Sequence, residues 1–426
     1  PVIIRLTTLL SHTKTIVEIK DPVRTQTEFT FEHQNGKFVS LPSHARKNHP
    51  IVEKRLKELS LYNNKNEFNL LEKKSNKIGV ITSGLAYQYV KETLPDVSVY
   101  KIGMVYPLPF EAIREFASSV EQLYIVEELE PFMEEMIKAD GVKVDLGKDT
   151  IPVCYELSID ILKDKILRET PEEPLKAELP PRPPVLCPGC PHRGIYYSLN
   201  KKKTTVTGDI GCYTLGYMPP LNAMHTCVCM GASITAANGF EMVKQRAGKS
   251  DKKVAATIGD STFIHSGITG LIDAVYNQLN TTVMILNNDI TAMTGHQPNP
   301  VTGVKINGQN TSKLDLTALC KAVGVREVDN IDPYDLDSVA KTLDKHASLQ
   351  ETSVIISNRP CILLPQVKKE KVFEIDQETC KKCKMCIQLG CPAIFFDGEK
   401  VYIDPYLCNG CSLCFQVCPF KAIKEK

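Results

Sequence analysis

Short apolar runs alternate with longer amphipathic stretches along most of the chain. The short runs, bounded by turn residues, predict buried strands, and the amphipathic stretches predict helices. The predicted strands are 78–82, 97–103, 122–127, 204–207, 253–258, 282–286 and 353–357, and the predicted helices are 85–94, 109–118, 231–246 and 267–278. Strands that alternate with helices pair in parallel through right-handed crossovers. The pattern therefore predicts an α/β fold with two doubly wound parallel-sheet domains.

The remaining segments do not follow this alternation. Residues 1–10 are apolar and predict a strand, residues 51–62 predict a helix, and the prolines of 171–186 exclude a helix or a central strand. We expect, in chain order, a domain remnant with a linker, a small α/β domain, a proline-rich linker, a larger α/β domain and a cysteine-rich α+β domain. Their bounds are 1–75, 76–170, 171–186, 187–366 and 367–426.

Composition and charge narrow the function classes. Hydrophobic residues make up 42% and charged residues 24% of the 426 residues, which is typical of a globular protein. The net charge of +1 favours neither a nucleic-acid partner nor a polyanionic one, and no apolar run is long enough to span a bilayer. Sixteen cysteines without a secretory signal indicate a reducing compartment, where thiolates bind metals. We therefore expect a cytoplasmic location.

Eight cysteines near the C-terminus form two runs typical of a two-cluster ferredoxin-like domain. In each run three thiolates spaced two residues apart surround one cubane, and a fourth cysteine before a proline ligates the other cluster. The predicted ligands of the two [4Fe–4S] clusters are Cys380, Cys383, Cys386 and Cys418 for the first, and Cys391, Cys408, Cys411 and Cys414 for the second. Four residues rather than three separate Cys386 from Cys391, and we expect Gly390 to accommodate the extra one. A structural zinc site is the alternative.

Polar residues follow two consecutive predicted strands of the larger domain. Gly259-Asp260-Ser261 ends one strand, and Asn287-Asn288 ends the next. Because the carboxyl ends of parallel strands lie at one edge of a sheet, these residues are expected to meet there. The side chains of Asp260 and Asn288 and the Ile290 carbonyl would suit Mg²⁺ bridging a diphosphate, with further donors from the helix that follows Ser261.

This pattern resembles the thiamine diphosphate signature, with Ser261 where most members have a second glycine. Its surroundings resemble the 2-oxoacid:ferredoxin oxidoreductases, and most of all the α-subunit family of the indolepyruvate:ferredoxin oxidoreductases. The segments that carry the resemblance are Cys187-Pro-Gly-Cys-Pro-His-Arg193, Gly208-Asp-Ile-Gly-Cys-Tyr-Thr-Leu-Gly216, Cys229-Met-Gly-Ala-Ser233, Gly259-Asp-Ser-Thr-Phe-Ile-His-Ser-Gly267 and Thr294-Gly-His-Gln297.

The resemblance implies a thiamine-diphosphate-binding domain at 187–366, a transketolase C-terminal-like domain at 76–170, and the last strand of an N-terminal pyrimidine-binding domain at the start. Most of that domain, with the glutamate that activates thiamine, is expected to lie outside this sequence, so no catalytic residue is assigned. The residues expected at the cofactor are Gly211, Cys212, Gly231, Gly259, Asp260, Ser261, Thr262, Asn287, Asn288 and Ile290.

The resemblance also implies an activity: CoA-dependent oxidative decarboxylation of aryl 2-oxoacids, of the indolepyruvate or phenylpyruvate type, to aryl-acetyl-CoA and CO₂. Electrons would pass through the clusters to ferredoxin, and a β subunit would complete a hetero-oligomer. The alternatives are a non-oxidative thiamine decarboxylase, which has no use for ferredoxin clusters, and a non-catalytic thiamine-binding or electron-transfer subunit of another 2-oxoacid oxidoreductase.

A third cluster beside the thiamine is also implied. In the family's relatives a CxxC, a later Gly-Cys and a distant Cys hold such a cluster, and the matching residues here are Cys187, Cys190, Cys212 and Cys361. Zinc or free thiols are the alternatives at these positions, and Cys227 or Cys229 could replace either late ligand. Otherwise Cys227 and Cys229 are expected to be small buried side chains, and Cys154 and Cys320 core residues.

Overall fold

The computed structural model describes residues 2–22, 38–170, 183–248, 253–369 and 371–426. These residues belong to two units, Pro1–Leu179 and Pro180–Lys426. The finer division into five segments stays a prediction. None of the helices in these ranges is long and apolar enough to cross a membrane.

The first unit contains a four-stranded sheet with helices packed on it. Its elements, in chain order, are α1 (Thr8–His12), α2 (Pro42–Asn63), β1 (Leu70–Glu72), β2 (Ile78–Ser83), α3 (Ala86–Thr93), β3 (Ser98–Ile102), α4 (Phe110–Ser118), β4 (Gln122–Val126), α5 (Phe132–Ala139) and α6 (Ile159–Leu162). The strand order is β1-β3-β2-β4. Strands β3, β2 and β4 are parallel, as predicted, whereas β1 is antiparallel to β3.

Two parts of the first 75 residues differ from the prediction. The strand predicted for residues 1–10 is wrong: Thr7 caps α1 by accepting a 3.3 Å hydrogen bond from the Leu10 N–H, and the preceding apolar side chains are exposed. An apolar run forms a strand only where another strand supplies backbone partners. The second difference is β1, a half-exposed edge strand without an apolar period.

Helix α2 is longer than the predicted helix at 51–62, and its end packs on the sheet domain. The Asn63 amide donates hydrogen bonds of 2.7 Å to the Met104 carbonyl and 2.9 Å to the Pro107 carbonyl. The Ser60 hydroxyl donates to the Leu108 carbonyl at 2.6 Å. Thus the end of the predicted linker is bound to the small α/β domain.

The second unit begins with a six-stranded parallel sheet. Its elements are α7 (His192–Lys201), β5 (Thr205–Gly208), β6 (Thr226–Cys227), α8 (Ala232–Arg246), β7 (Val254–Gly259), α9 (Asp260–Thr262), α10 (Ile268–Tyr276), β8 (Thr281–Asn287), α11 (Leu316–Ala322), β9 (Val328–Ile331), α12 (Leu336–Ser348) and β10 (Ser353–Asn358). The strand order is β6-β5-β7-β8-β10-β9, and every pair is parallel. Apolar clusters cover both faces, which confirms the predicted doubly wound architecture.

The rest of the second unit is a small α+β domain, as predicted. Its elements are β11 (Phe373–Ile375), β12 (Ile394–Phe396), β13 (Val401–Ile403), α13 (Leu413–Val417) and β14 (Ile423–Glu425). Strand β11 pairs with β14, and β12 with β13, both antiparallel. One apolar cluster holds both pairs together with the cysteine runs.

Candidate cofactor and cluster sites

Asp260 and Asn288 lie at the same edge of the larger sheet. Strands β7 and β8 pair in parallel with Gly259 opposite Leu286, so the residues that follow each strand are neighbours. Asp260 is 2% exposed, and Asn288 and Ile290 are also buried. The sequence placed a magnesium site at this edge, and the structure brings its three proposed ligand residues to it.

The Asp260 carboxylate is buried and forms no ion pair with a Lys, Arg or His side chain of the described residues. It accepts hydrogen bonds of 2.8 Å from the Ser261 N–H and 3.1 Å from the Asn299 amide. Burial raises the pKa of Asp260 to about 6, and the charge of Asp289 adds to the rise, while the two hydrogen bonds lower it. A buried carboxylate with no positive partner is a group that a divalent cation would stabilise. The donor set therefore fits Mg²⁺.

Asp289 and Asn299 complete this edge, and sequence reasoning missed both. Asp289 adopts a left-handed backbone with φ 55°, and its Oδ1 atom, although buried, accepts no hydrogen bond from the described residues. Lys313 Nζ lies 3.6 Å from that oxygen. Asn299 comes from a proline-flanked loop outside every periodic segment. Only its contact with Asp260 in the fold identifies it.

Asn287, expected at the cofactor, directs its side chain elsewhere. Its amide donates a 2.7 Å hydrogen bond to the Asn358 side chain, and its Oδ1 accepts a 3.3 Å bond from the Asp289 N–H. The structure therefore does not bring the Asn287 side chain to Asp260.

Asp209 fixes the loop that leads into α8, and it was not among the expected site residues. Its carboxylate is fully buried and accepts hydrogen bonds of 2.9 and 3.0 Å from the Gly231 N–H and 3.2 Å from the Ser233 N–H. Gly231 has φ 90°, and a Cβ there would lie 2.5 Å from the Ser266 Cβ. This loop therefore requires glycine at 231. Asp209 is the second residue of the Gly208–Gly216 motif, so the motif could have identified it from the sequence.

Two other expected cofactor residues, Gly211 and Gly259, lie against the ring of Tyr213. A Cβ at Gly259 would be 2.7 Å from Tyr213 Cε1, and one at Gly211 would be 2.5 Å away. The buried Tyr213 hydroxyl donates a 2.9 Å hydrogen bond to the Ile210 carbonyl. The rings of His192 and Tyr213 are in edge-to-face contact, with their centroids 5.7 Å apart. Ring packing thus explains why both positions lack a side chain; Ser261 and Thr262 follow Gly259 in α9.

The four cysteines predicted to hold a third cluster influence one another electrostatically. Burial raises the pKa of Cys190 to about 12, and charges on Cys187 and Cys361 add to the rise. The pKa of Cys212 is raised by burial and then by charges on Cys361 and Cys187. Burial and the charge on Cys187 raise the pKa of Cys361 in the same way. The fold therefore places Cys187 and Cys361, which are 361 − 187 = 174 positions apart in the sequence, close enough for their charges to interact.

This cysteine group adjoins the sheet edge that carries Asp260 and Asn288. The Cys361 N–H donates a 2.9 Å hydrogen bond to the Asn288 carbonyl. Cys361 also packs with Ile290 and Leu364 in one apolar cluster. A redox group held by these cysteines would be a direct neighbour of the cofactor.

Other cysteines fall into two groups. Cys227 and Cys229 are exposed, so the expectation that they are buried is wrong: Cys227 ends the edge strand β6, and Cys229 lies in the loop before Gly231. Although the residue as a whole is exposed, the Cys227 thiol lies against the Asp209 carbonyl at 3.5 Å; its partial desolvation raises its pKa, and the charges of Asp209 and Cys229 add to the rise. Cys320 is a core residue as expected, but Cys154 is exposed because it lies in a bend rather than in a strand.

The ferredoxin-like domain contains two partly open cavities, with about 370 and 330 Å³ of space between the atoms when the adjoining open solvent is included. The cysteines lining the larger one are Cys391, Cys408, Cys411 and Cys414, and those lining the smaller one are Cys380, Cys383, Cys386 and Cys418. Among the described residues no three His, Cys, Asp or Glu side chains converge on a single metal ion. A cubane binds each thiolate at a different iron, so its ligands surround a cavity rather than a point. Both cavities fit such clusters.

Gly390 accommodates the extra residue of the first cysteine run. It has φ 64°, and a Cβ there would lie 2.8 Å from the Pro220 Cδ. The left-handed turn ends the short 3₁₀ helix Met385–Leu389 immediately before Cys391.

The CxxC loop packs on the second cysteine run. The Asn409 amide donates a 2.8 Å hydrogen bond to the Pro188 carbonyl. A Cβ at Gly189 would lie 2.9 Å from the Asn409 Cβ. The cysteine group beside Asn288 and the larger cavity are therefore in contact through adjacent loops.

Comparison with known proteins gives matches over the whole chain. A family model described as "Thiamine pyrophosphate enzyme, C-terminal TPP binding domain" matches residues 209–357, and one described as "4Fe-4S binding domain" matches 401–424. The indolepyruvate oxidoreductase subunit IorA of Thermococcus kodakarensis is 36% identical over 99% of this chain and 73% of its own length. The subunit of the same name from Archaeoglobus fulgidus is 36% identical over 100% of this chain and 72% of its own. A solved 2-oxoglutarate:ferredoxin oxidoreductase from Magnetococcus marinus has 16% identity and a TM-score of 0.37, over 45% of this chain and 68% of that one.

Proposed function

From the premise that the chain belongs to the family of the indolepyruvate oxidoreductase subunit IorA, we propose that it is the catalytic subunit for CoA-dependent oxidative decarboxylation of aryl 2-oxoacids. One 2-oxoacid carboxylate and one CoA thiol give an acyl-CoA thioester, CO₂, one proton and two electrons. The substrates are of the indolepyruvate or phenylpyruvate type, and ferredoxin accepts the electrons. The observation that carries the proposal is the hydrogen bond between Cys361 and Asn288, because it joins the cofactor edge to a cysteine group.

Thiamine diphosphate would bind at the carboxyl edge of the larger sheet. Mg²⁺ would be held by the Asp260 and Asn288 side chains and the Ile290 carbonyl, and the diphosphate by backbone N–H groups at the start of the helical segment that follows Gly259. When bound, thiamine supplies the electron sink for the bond that breaks as CO₂ leaves. The chain's own part is to bury this edge from water and to hold the Asp260 carboxylate in place through the Asn299 amide.

The electrons would leave through three cysteine-bound [4Fe–4S] clusters. Each such cluster carries one electron at a time, so the two electrons pass in two steps. Cys187, Cys190, Cys212 and Cys361 would hold the cluster nearest the thiamine. The larger cavity of the ferredoxin-like domain would hold the next, since Asn409 joins it to the CxxC loop. The smaller cavity, with the exposed Cys383, would be the exit to ferredoxin.

A β subunit, ferredoxin and CoA complete the proposed system, in a hetero-oligomer within a reducing, cytoplasmic compartment. A reducing environment would keep the thiolates that the proposed clusters require.

The test is reduction of ferredoxin, or of a viologen, by the anaerobically assembled complex with its β subunit, across a panel of 2-oxoacids with and without CoA. We expect the highest kcat/KM with aryl 2-oxoacids and strict dependence on CoA. Asp260→Ala should abolish turnover, whereas Asp337→Ala, an exposed aspartate on α12, should leave it unchanged. A preference for pyruvate would overturn the substrate class, and CO₂ release without acceptor reduction would overturn the oxidative reaction.

A further inference from the structure

Arg193 is a buried cation whose charge the described residues do not neutralise. It is 1% exposed and forms no ion pair with an acidic group in the described part of the chain. Its Nη1 donates 2.7 Å to the Leu389 carbonyl, and its Nη2 donates 2.7 Å to the Leu186 carbonyl and 2.9 Å to the Cys187 carbonyl. Its Nε–H is buried and has no acceptor in the part of the chain that the structure describes. Burial of a charge among neutral partners is strongly unfavourable, so an anionic partner is expected.

The guanidinium lies between two of the cysteine groups. It lines the larger cavity, together with four cysteines of the ferredoxin-like domain. On its other side it binds the carbonyl of Cys187, in the CxxC loop. The Arg193 guanidinium therefore lies beside both the cysteines of the larger cavity and the CxxC loop.

The extra residue of the first cysteine run supports this placement. The left-handed turn at Gly390 follows Leu389, whose carbonyl accepts from Arg193, and a Cβ at Gly390 would lie 3.5 Å from Nη1. The departure from the usual three-residue spacing thus occurs where the chain passes the guanidinium.

We propose that Arg193 is a positioning residue for electron transfer: its Nε–H donates to a sulfur of the cluster in the larger cavity, and its charge raises the reduction potentials of that cluster and of the cluster beside Asn288. This inference rests on the proposed function, since it requires clusters at both sites. A cluster becomes more negative when it takes up an electron, and a fixed positive charge stabilises that state. Because the charge is in place beforehand, electron arrival needs no rearrangement of the protein.

Redox titration followed by electron paramagnetic resonance tests the charge. In the anaerobically reconstituted full chain, Arg193→Met should lower the midpoint potential of both clusters. For the cluster in the larger cavity, the midpoint potential should fall by at least about 59 mV. For a one-electron couple this corresponds to a tenfold drop in the ratio of reduced to oxidised cluster at a fixed potential. Arg193→Lys should restore most of the potential. Arg326→Met, at a side chain that is 82% exposed, is the control and should change neither potential.

A measurement on the unsubstituted chain guards against misfolded variants. With arginine labelled by ¹⁵N in the guanidinium, pulsed electron paramagnetic resonance of the reduced protein should show a ¹⁵N coupling that Arg193→Lys abolishes. Absence of that coupling, or unchanged potentials in Arg193→Met with full iron content, would overturn the role of Arg193 and leave the proposed function intact. An iron content that leaves the larger cavity without a cluster would overturn the proposed electron path, and this inference with it.

Discussion

The backbone N–H of Cys361 donates a 2.9 Å hydrogen bond to the backbone carbonyl of Asn288. The sheet topology enforces this contact, because β10 pairs in parallel with β8 and places Asn358 opposite Asn287. The loops after both strands therefore leave the same edge together. A proposed metal ligand and a proposed cluster ligand are neighbours because their strands are neighbours.

Asp260→Ala should abolish Mg²⁺-dependent binding of thiamine diphosphate. Mg²⁺ takes few protein ligands, so the loss of one carboxylate weakens the bridge to the diphosphate severely. Titration of the cofactor in the presence of Mg²⁺ measures the affinity. The visible absorbance of the clusters should stay unchanged, and an unaltered affinity would place the magnesium site elsewhere.

The stability of the thiamine-free chain should depend on pH through Asp260. Its pKa is raised by burial to about 6, so the folded state binds the proton more tightly than the unfolded state. The free energy of unfolding should therefore fall as pH rises towards 6, by up to about 1.4 kcal/mol per pH unit from this group, and flatten above it. Urea unfolding of the chain and of Asp260→Asn between pH 5 and 7.5 checks the difference. If the free energy of unfolding changed with pH in the same way in both proteins, the pKa of Asp260 would not be raised in the folded state.

The position of Asp260 and Asn288 at one sheet edge could be predicted because the features that indicate it are local in the sequence. Apolar period and turn residues located the strands around Asp260 and Asn288, and parallel order then made those residues neighbours. Arg193 and Leu389 carry no such signal: they are 196 positions apart and meet only through tertiary packing. Residues 2–7 show the converse, since an apolar run without a partner strand formed no sheet. The local sequence pattern identifies helices and strands, whereas contacts between loops can be identified only from the three-dimensional structure.

Asp209→Ala should loosen the loop before α8 and weaken thiamine diphosphate binding. The substitution leaves the Gly231 and Ser233 N–H groups without their acceptor, at a cost of about 1–3 kcal/mol in the free energy of unfolding. Urea unfolding and cofactor titration measure the two effects. Asp337→Ala, at an exposed site, is the matched control and should alter neither. Full cofactor affinity in Asp209→Ala would show that the loop does not shape the site.

Cys361→Ser should remove or convert one cluster and leave two unchanged. The fully reconstituted chain should contain about twelve iron atoms, at four per cubane. The charge on Cys187 contributes to the raised pKa of Cys361, after burial, so the two thiols are close to each other. Cys229 is exposed and lies in the loop that follows β6. Cys229→Ser is therefore the matched control and should keep the full iron content.

Iron analysis, visible absorbance and electron paramagnetic resonance of the reduced protein distinguish the outcomes for this pair. Loss of about four iron atoms in Cys361→Ser alone, with the signals of the two ferredoxin-like sites retained, is the expected result. The same loss in Cys229→Ser would make Cys229 a ligand instead. About eight iron atoms in the unsubstituted chain, or zinc at Cys187 and Cys190, would eliminate the third cluster. The electrons would then have to reach the larger cavity through the CxxC loop without a cluster beside Asn288.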